Sequence, residues 1–265
     1  GNNQTVFQIM GTLHTYSFPD ARNVVVCGDI HGEFNAMVFK MCVQYQMKDT
    51  LLIVAGDCGF GFEKPTYYDI IYRRISKRLN QNNVWIAMVR GNHDDPAYFQ
   101  NQLIKNNRWQ TIPDYSIIEA CNHNVLCVGG AISIDRQWRL QAMARTTGKQ
   151  YYWTNEMPVY NETALNDIAS NGVQIDIVVT HTAPSFCELQ SKNGLASWSL
   201  QDPNLLKDCD EERLVMDKIY NYLKTHNFPV KRWFYGHFHQ SWHSEIDSII
   251  FTMLDIMELQ EVYPS

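Results

Sequence analysis

Seven side chains of this sequence have the types and the placement to hold cations: Asp29, His31, Asp57, Asn92, His181, His237 and His239. All of them follow short apolar runs. Val24-Val25-Val26-Cys27 leads into Gly28-Asp29-Ile30-His31, the run Leu51 to Ala55 into Gly56-Asp57, and Trp85 to Val89 into Arg90-Gly91-Asn92-His93-Asp94. Ile177 to Thr180 leads into His181, and Trp233 to Tyr235 into Gly236-His237-Phe238-His239. Imidazole and carboxylate donors suit Mn, Fe or Zn, with Co or Ni also acceptable, and fit Cu(I) poorly. Seven donors exceed what one ion takes, so the set points to two divalent ions unless part of it does not coordinate. A carboxylate shared by ions about 3.5–4 Å apart is the usual device of hydrolytic two-metal sites.

Taken singly, the fragments say less. Gly-Asp after a strand is commonly only a turn, and a histidine after Thr180 is an ordinary occurrence. Gly-His-x-His says more, because alternate residues of an extended segment put both imidazoles on one face. Five of the nine histidines fall in these clusters, which coincidence does not explain.

Elements must bring these clusters together. Apolar, β-branched runs predict strands over 24–27, 51–55, 84–89, 117–120, 125–128, 175–180, 232–235 and 249–254. Amphipathic stretches predict helices over 33–47, 66–80, 162–170 and 210–226. Strand–helix alternation over the first hundred residues argues for βαβ units and a buried, largely parallel sheet. From residue 115 onward the spacing is hairpin-like, which suggests mixed pairing and a second sheet packed on the first. In α/β proteins ligands bind in the crevice at the carboxyl ends of the strands, where the five clusters would meet. Residues 185–208, broken by Asn-Gly and Asp-Pro, read as a long loop, and loops of that length are often functional. No linker divides the chain, so residues 1–265 read as one domain.

Composition narrows the function. The 265 residues are 45% apolar and 19% charged, the balance of a globular chain with a real core. Twenty-two basic and 28 acidic residues give a net charge of −6 without any basic run, which argues against nucleic acid as the partner. No apolar stretch approaches the roughly 20 residues needed to cross a bilayer, so no membrane partner is expected. Seven scattered cysteines without a Cys-x-x-Cys pair suit a reducing compartment. The Gly-Asn-Asn-Gln start shows no signal peptide, and the expected location is the cytoplasm.

In this order, Asp29-Ile30-His31, Gly56-Asp57, Gly91-Asn92-His93-Asp94, His181 and Gly236-His237-Phe238-His239 resemble the signature of the calcineurin-like metallophosphoesterase superfamily. The resemblance spans residues 24 to 239. It implies a four-layer α/β/β/α sandwich of two mixed sheets with a dinuclear centre at their loop ends. It also implies that one ion takes Asp29, His31, the bridging Asp57 and His239, and the other Asp57, Asn92, His181 and His237. The motifs look most like those of the serine/threonine phosphatase branch. That branch carries an Asp-Arg-Gly after its second motif, and here Gly56-Asp57-Cys58-Gly59-Phe60-Gly61-Phe62-Glu63 stands instead. The carboxylate and arginine of that tripeptide are therefore not carried over.

The chemistry implied is phosphoester hydrolysis by a metal-activated hydroxide, with a phosphorylated small molecule or a phosphoprotein as substrate. A phosphomonoesterase is the leading expectation. The alternatives are a phosphodiesterase or nucleotide hydrolase using the same site, and a metal-loaded scaffold without turnover. Asp57 and His93 are the expected catalytic residues, with His93 protonating the leaving alkoxide and Asp94, Asp95 or Glu63 as candidates to orient it. Asn92, Arg136 and Arg139 are candidates for holding phosphate, with Arg90 a further possibility. Tyr151-Tyr152-Trp153 and the 185–208 loop are candidate pocket walls.

Overall fold

The computed structural model describes residues 13–146, 148–187 and 194–263. Along the first half of the chain run β1 (Thr15–Ser17), β2 (Asn23–Cys27), α1 (Phe34–Phe39), β3 (Thr50–Val54), α2 (Pro65–Asn82), β4 (Val84–Met88), α3 (Pro96–Gln100), β5 (Lys105–Asn106), β6 (Trp109–Thr111), β7 (Ser116–Ala120) and β8 (His123–Val128). The second half adds α4 (Arg136–Arg145), α5 (Glu162–Ser170), β9 (Ile177–Thr180), α6 (Leu195–Ser199), α7 (Leu205–Thr225), β10 (Arg232–Tyr235), β11 (Trp242–Ile246), β12 (Ile249–Met253) and β13 (Leu259–Glu261).

All eight predicted strands form. Their pairing makes a six-stranded sheet, β13-β2-β3-β4-β6-β5, and a seven-stranded one, β1-β7-β8-β9-β10-β12-β11. β2, β3, β4 and β6 are parallel, with antiparallel β13 and β5 at the edges. The second sheet mixes parallel pairs with the antiparallel β7–β8 and β11–β12 hairpins. This is the expected sandwich of two mixed sheets with flanking helices.

Three apolar layers hold it together, and strand alternation assigns residues to them. In β2, Val24 and Val26 face the second sheet, packing with Leu51, Ile53, Ile118, Val125, Ile177 and Val179. Val25 and Cys27 face the other way, toward Phe34, Met37 and Ile75 of α1 and α2. On the far side of the second sheet, Leu126, Val178 and Trp233 pack against Leu165 of α5 and Met216 and Ile219 of α7.

The structure departs from the sequence expectations at the element ends. The helix predicted over 33–47 is α-helical only to Phe39 and continues as a wider π-helical turn over Lys40–Gln44, where Tyr45 N–H donates to the carbonyl of Lys40. The 185–208 segment is not wholly a loop. It carries α6 and the first turn of α7, while residues 188–193 lie outside the described residues.

Trp109 of β6 is wholly buried, edge-on to Phe34 at 5.1 Å and stacked at 5.9 Å on Tyr72. It keys this short strand, next to the sheet edge, to α1 and α2. Trp109→Ala should lower unfolding free energy by about 3–5 kcal/mol in denaturant titration, the range for a deleted core aromatic. A loss below about 1 kcal/mol would contradict that packing role.

Candidate metal centre

β2, β3 and β4 of one sheet and β9 and β10 of the other end at the same rim, and each delivers one of the clusters read from the sequence. The turns that follow are unusual. His31, Asp57, His237 and His239 all have left-handed backbone conformations, with φ between 47° and 72°. Such conformations cost energy in non-glycine residues and persist where surrounding contacts hold them. The adjoining glycines allow close approach: a Cβ on Gly91 would lie 2.1 Å from Asp57 Oδ1, and one on Gly236 would lie 2.4 Å from Asp29 Oδ1. The Gly-Asp, Gly-Asn-His and Gly-His-x-His spacings are thus steric requirements of bringing strands from two sheets to one point.

Asp29, His31, Asp57 and His239 form one group, each offering a ligand atom within 4.8 Å of the others. His239 Nε2 lies 3.1 Å from Asp29 Oδ2 and 3.3 Å from His31 Nε2. Adjoining it, His181 Nε2 lies 3.2 Å from Asp57 Oδ1 and 2.9 Å from Asn92 Oδ1. The His237 ring sits 4.9 Å from that of His181, and His237 N–H donates to Asp29 Oδ1.

Electrostatically the centre is a pair of buried carboxylates ringed by imidazoles. Burial alone would raise both carboxyl pKa values, but His181 and its companions hold Asp29 below and Asp57 well below the usual carboxylate range. Burial pulls the other way at His181, where Asp57 and Asp29 prevail and lift the imidazole to about 10. His237 is pushed down to about 3, first by burial and then by the His181 charge.

Two further layers fix the donors. His181 Nδ1 contacts the carbonyl of Ala55 at 2.6 Å, turning Nε2 inward. Asn92 Nδ2 donates to Ser133 Oγ at 2.9 Å, and Ser133 donates to Glu156 Oε2 at 2.6 Å. Burial pushes the Glu156 carboxyl up to about 8, against the downward pull of the Ser133 hydrogen bonds. Glu212 of α7 accepts from Ile132 N–H and Thr182 Oγ1 and stands 3.9 Å from His237 Nε2. Ser133, Glu156, Thr182 and Glu212 carry no signal in the sequence, because their partners lie tens of residues away.

His93 is tied to Asp57 twice, through its N–H to Oδ1 at 2.8 Å and its Nδ1 near Oδ2 at 3.2 Å. Its Nε2 is buried and has no hydrogen-bond partner among the described residues. None of Asp94, Asp95 and Glu63 orients it in this structure. Asp94 instead accepts from the N–H groups of Cys58, Gly59, Phe60 and Gly91, clamping the second and third motifs together. Burial and Asp57 raise its carboxyl to about 6, and those N–H groups oppose the rise. Asp95 caps α3 by accepting from Ala97 N–H.

The candidate phosphate arginines are engaged elsewhere. Arg136 forks onto Asp202 at 2.6 and 3.0 Å and reaches Asp208 at 2.8 Å. Arg139 bonds Asp135 and the carbonyl of Tyr151. Arg90 is buried on Asp114 and the carbonyls of Glu156 and Gly129. Of the aromatic run, Tyr152 and Trp153 are buried, Trp153 packing edge-on to Phe62. From the 185–208 segment, Ser185, Leu195, Trp198 and Lys207 line a cavity of about 1160 Å³ that opens from Asp57, Asn92, His93 and His237.

The donors fit divalent cations. Asp29 and Asp57 are 0–1% exposed, and their ion-pair partners among the described residues are histidines alone. Nε2 atoms of His31 and His239 converge on the same carboxylate edge, a geometry for a shared ion rather than for two ring N–H groups.

A sequence model of the family described as calcineurin-like phosphoesterase matches residues 22–241. Comparison with curated proteins found no match. Among solved structures, phosphopantetheinyl hydrolase from Mycobacterium tuberculosis is similar at 14% identity and a TM-score of 0.42, covering 92% of this chain and 97% of that one. A putative 5'-nucleotidase from Staphylococcus aureus, solved with alpha-ketoglutarate, is similar at 12% identity and a TM-score of 0.45, over 90% of this chain but only 49% of that one. The anchor protein in the inner membrane complex of Plasmodium is similar at 11% identity and a TM-score of 0.42, over 88% of this chain and 71% of that one.

Asp57 touches both halves of the centre. Asp57→Asn should lose at least one metal equivalent by elemental analysis, along with hydrolytic activity. Two full equivalents in that variant would refute a bridging Asp57.

Proposed function

Because the chain belongs to the calcineurin-like phosphoesterase family, and is therefore a metal-dependent phosphoester hydrolase, we propose that it is a phosphomonoesterase acting on small phosphorylated molecules. Two divalent ions are the proposed cofactors: one on Asp29, His31, Asp57 and His239, the other on Asp57, Asn92, His181 and His237. When bound there, they supply Lewis-acid activation of water and neutralise charge on the phosphoryl oxygens.

The observation that carries this reading is the setting of His93. Asp57 accepts from its backbone N–H and contacts Nδ1, and the unpartnered Nε2 belongs to a side chain on the cavity wall. That ring can deliver a proton to a leaving alkoxide, a step that alkyl phosphates need and aryl phosphates barely need. Asn92 and the metals hold the phosphoryl group in this proposal. Arg136 and Arg139 take no part, since carboxylates already occupy their guanidinium groups.

The cavity supports a small-molecule substrate. Its walls are apolar at Ile132, Ile134, Trp198 and Phe238. Beyond the centre they carry Asp210, Glu211 and Asp217 against Lys207 and Arg213. Such walls favour neutral or amine-bearing leaving groups over polyanionic ones. The volume also favours a second reading, a phosphodiesterase or nucleotide hydrolase, because a space of about 1160 Å³ has room for a second ester substituent. Among the described residues no helix is long and apolar enough to cross a membrane. The seven free thiols favour a reducing compartment such as the cytoplasm.

Manganese-reconstituted protein is expected to turn over p-nitrophenyl phosphate faster than bis-p-nitrophenyl phosphate, and the reverse order would select the diesterase reading. In the same assays His93→Ala should keep its metal and lose about 10²–10⁴-fold in kcat for alkyl phosphates, with a smaller loss for p-nitrophenyl phosphate. Equal losses on both substrates would count against His93 as the proton donor.

A further inference from the structure

Of the seven donors, the Asn92 carboxamide alone has two unlike ends. Its Oδ1 can coordinate a cation and its Nδ2 cannot. Which end faces the centre is decided by what the other end meets. Nδ2 donates to Ser133 Oγ at 2.9 Å. Ser133 in turn spends both its donors on one carboxylate, its backbone N–H on Glu156 Oε1 at 2.7 Å and its hydroxyl on Oε2 at 2.6 Å. With the hydroxyl proton committed to Glu156, Ser133 Oγ can only accept, and only the NH₂ end of Asn92 satisfies it. Oδ1 is left facing the centre, 2.9 Å from His181 Nε2.

The carboxylate at the end of this chain is itself held. Glu156 is 1% exposed, and its carbonyl accepts from Ala131 N–H at 3.1 Å and Arg90 Nη1 at 2.7 Å. Arg90 precedes Gly91 and Asn92 in the chain, so the network closes on itself. Ser133 and Glu156 are both buried, and each of their hydrogen bonds has a fixed direction only when Glu156 is ionised. Burial opposes that form and lifts the carboxyl to about 8, the Ser133 hydrogen bonds pull it back, and divalent charge at the neighbouring centre would favour ionisation further by Coulomb attraction.

We propose that Ser133 and Glu156 are positioning residues that fix the Asn92 carboxamide with its oxygen toward the second metal ion. The proposal rests on the reading of Asn92 as a ligand in a phosphoester hydrolase. A polarity-setting chain of this kind predicts more than tight packing does. In Glu156→Gln the new NH₂ donates to Ser133 Oγ, the serine hydroxyl is freed to donate to Asn92, and the carboxamide is driven to turn its NH₂ toward the centre. A merely structural role would predict little change from so conservative a replacement.

The test is calorimetric titration of the metal-free full chain with Mn²⁺, for the wild type, Ser133→Ala, Ser133→Thr and Glu156→Gln. Unfolding temperatures and p-nitrophenyl phosphate kinetics are recorded in parallel. The wild type should bind two ions. Ser133→Ala and Glu156→Gln should weaken one of the two sites by about 10–100-fold, the usual effect of removing the partner of a metal ligand, and leave the other near its original affinity. Ser133→Thr, which keeps the hydroxyl, should restore the weakened site. Unchanged affinity at both sites in Ser133→Ala and Glu156→Gln would overturn the proposal. So would equal weakening of both sites that tracks a lowered unfolding temperature and is not rescued by threonine. A wild type that binds two ions but hydrolyses no phosphoester would refute the function while the affinities still judge the positioning chain. A wild type that binds none would refute both.

Discussion

Two carboxylates buried side by side, with no lysine or arginine against either among the described residues, set the terms for the rest of this molecule. Asp29 and Asp57 stand at the ends of adjacent parallel strands, where desolvation and mutual repulsion both oppose their charge. An isolated buried carboxylate would take up a proton. Here the imidazoles of His31, His181 and His239 hold the pair ionised, and divalent cations would complete the neutralisation. The left-handed turns at four of the donors and the glycines that adjoin the tightest contacts are the backbone's contribution to this one cluster of charge.

Around it the structure is arranged in shells of hydrogen bonds that leave little freedom to the donors. Asp94 gathers four N–H groups from two motifs, Ala55 orients His181, and Ser133 with Glu156 orients Asn92. The net charge of −6 misdescribes the working surface. Two bound divalent ions would outweigh the two carboxylates that receive them, so an acidic protein would present a cationic point to a phosphoryl group. Farther out, the carboxylates on α7 make the surroundings unfriendly to a long polyanion.

The fold's main frame was legible because its central strands are uninterrupted apolar runs, such as Leu51 to Val54, buried on both faces. The ligand clusters were legible for a related reason: each follows such a run, and glycine marks where two backbones nearly touch. Short strands at or next to the sheet edges were not. β5 is only Lys105–Asn106, without an apolar residue, and β6, β11 and β13 mix Gln110, His243 and Gln260 with a few apolar residues, so only their neighbours define them. α4 buries no side chain completely and lacks an apolar stripe to announce it. The arginine candidates show the limit most clearly. Nothing near Arg136 in sequence reveals Asp202 and Asp208, which are brought to it by α6 and α7. Ser133 and Glu156 are silent for the same reason, and the orienting contact of His93 is legible only once Asp57 is seen beside it.

The central claim is that Asp57 joins two cations into one centre at the rim shared by both sheets. Anomalous diffraction at the manganese edge, from crystals of the full chain grown with Mn²⁺, tests it directly. Two peaks about 3.5–4 Å apart, both within bonding distance of the Asp57 carboxylate, are the predicted result. A single peak, or two peaks of which neither is bonded to Asp57, would contradict it.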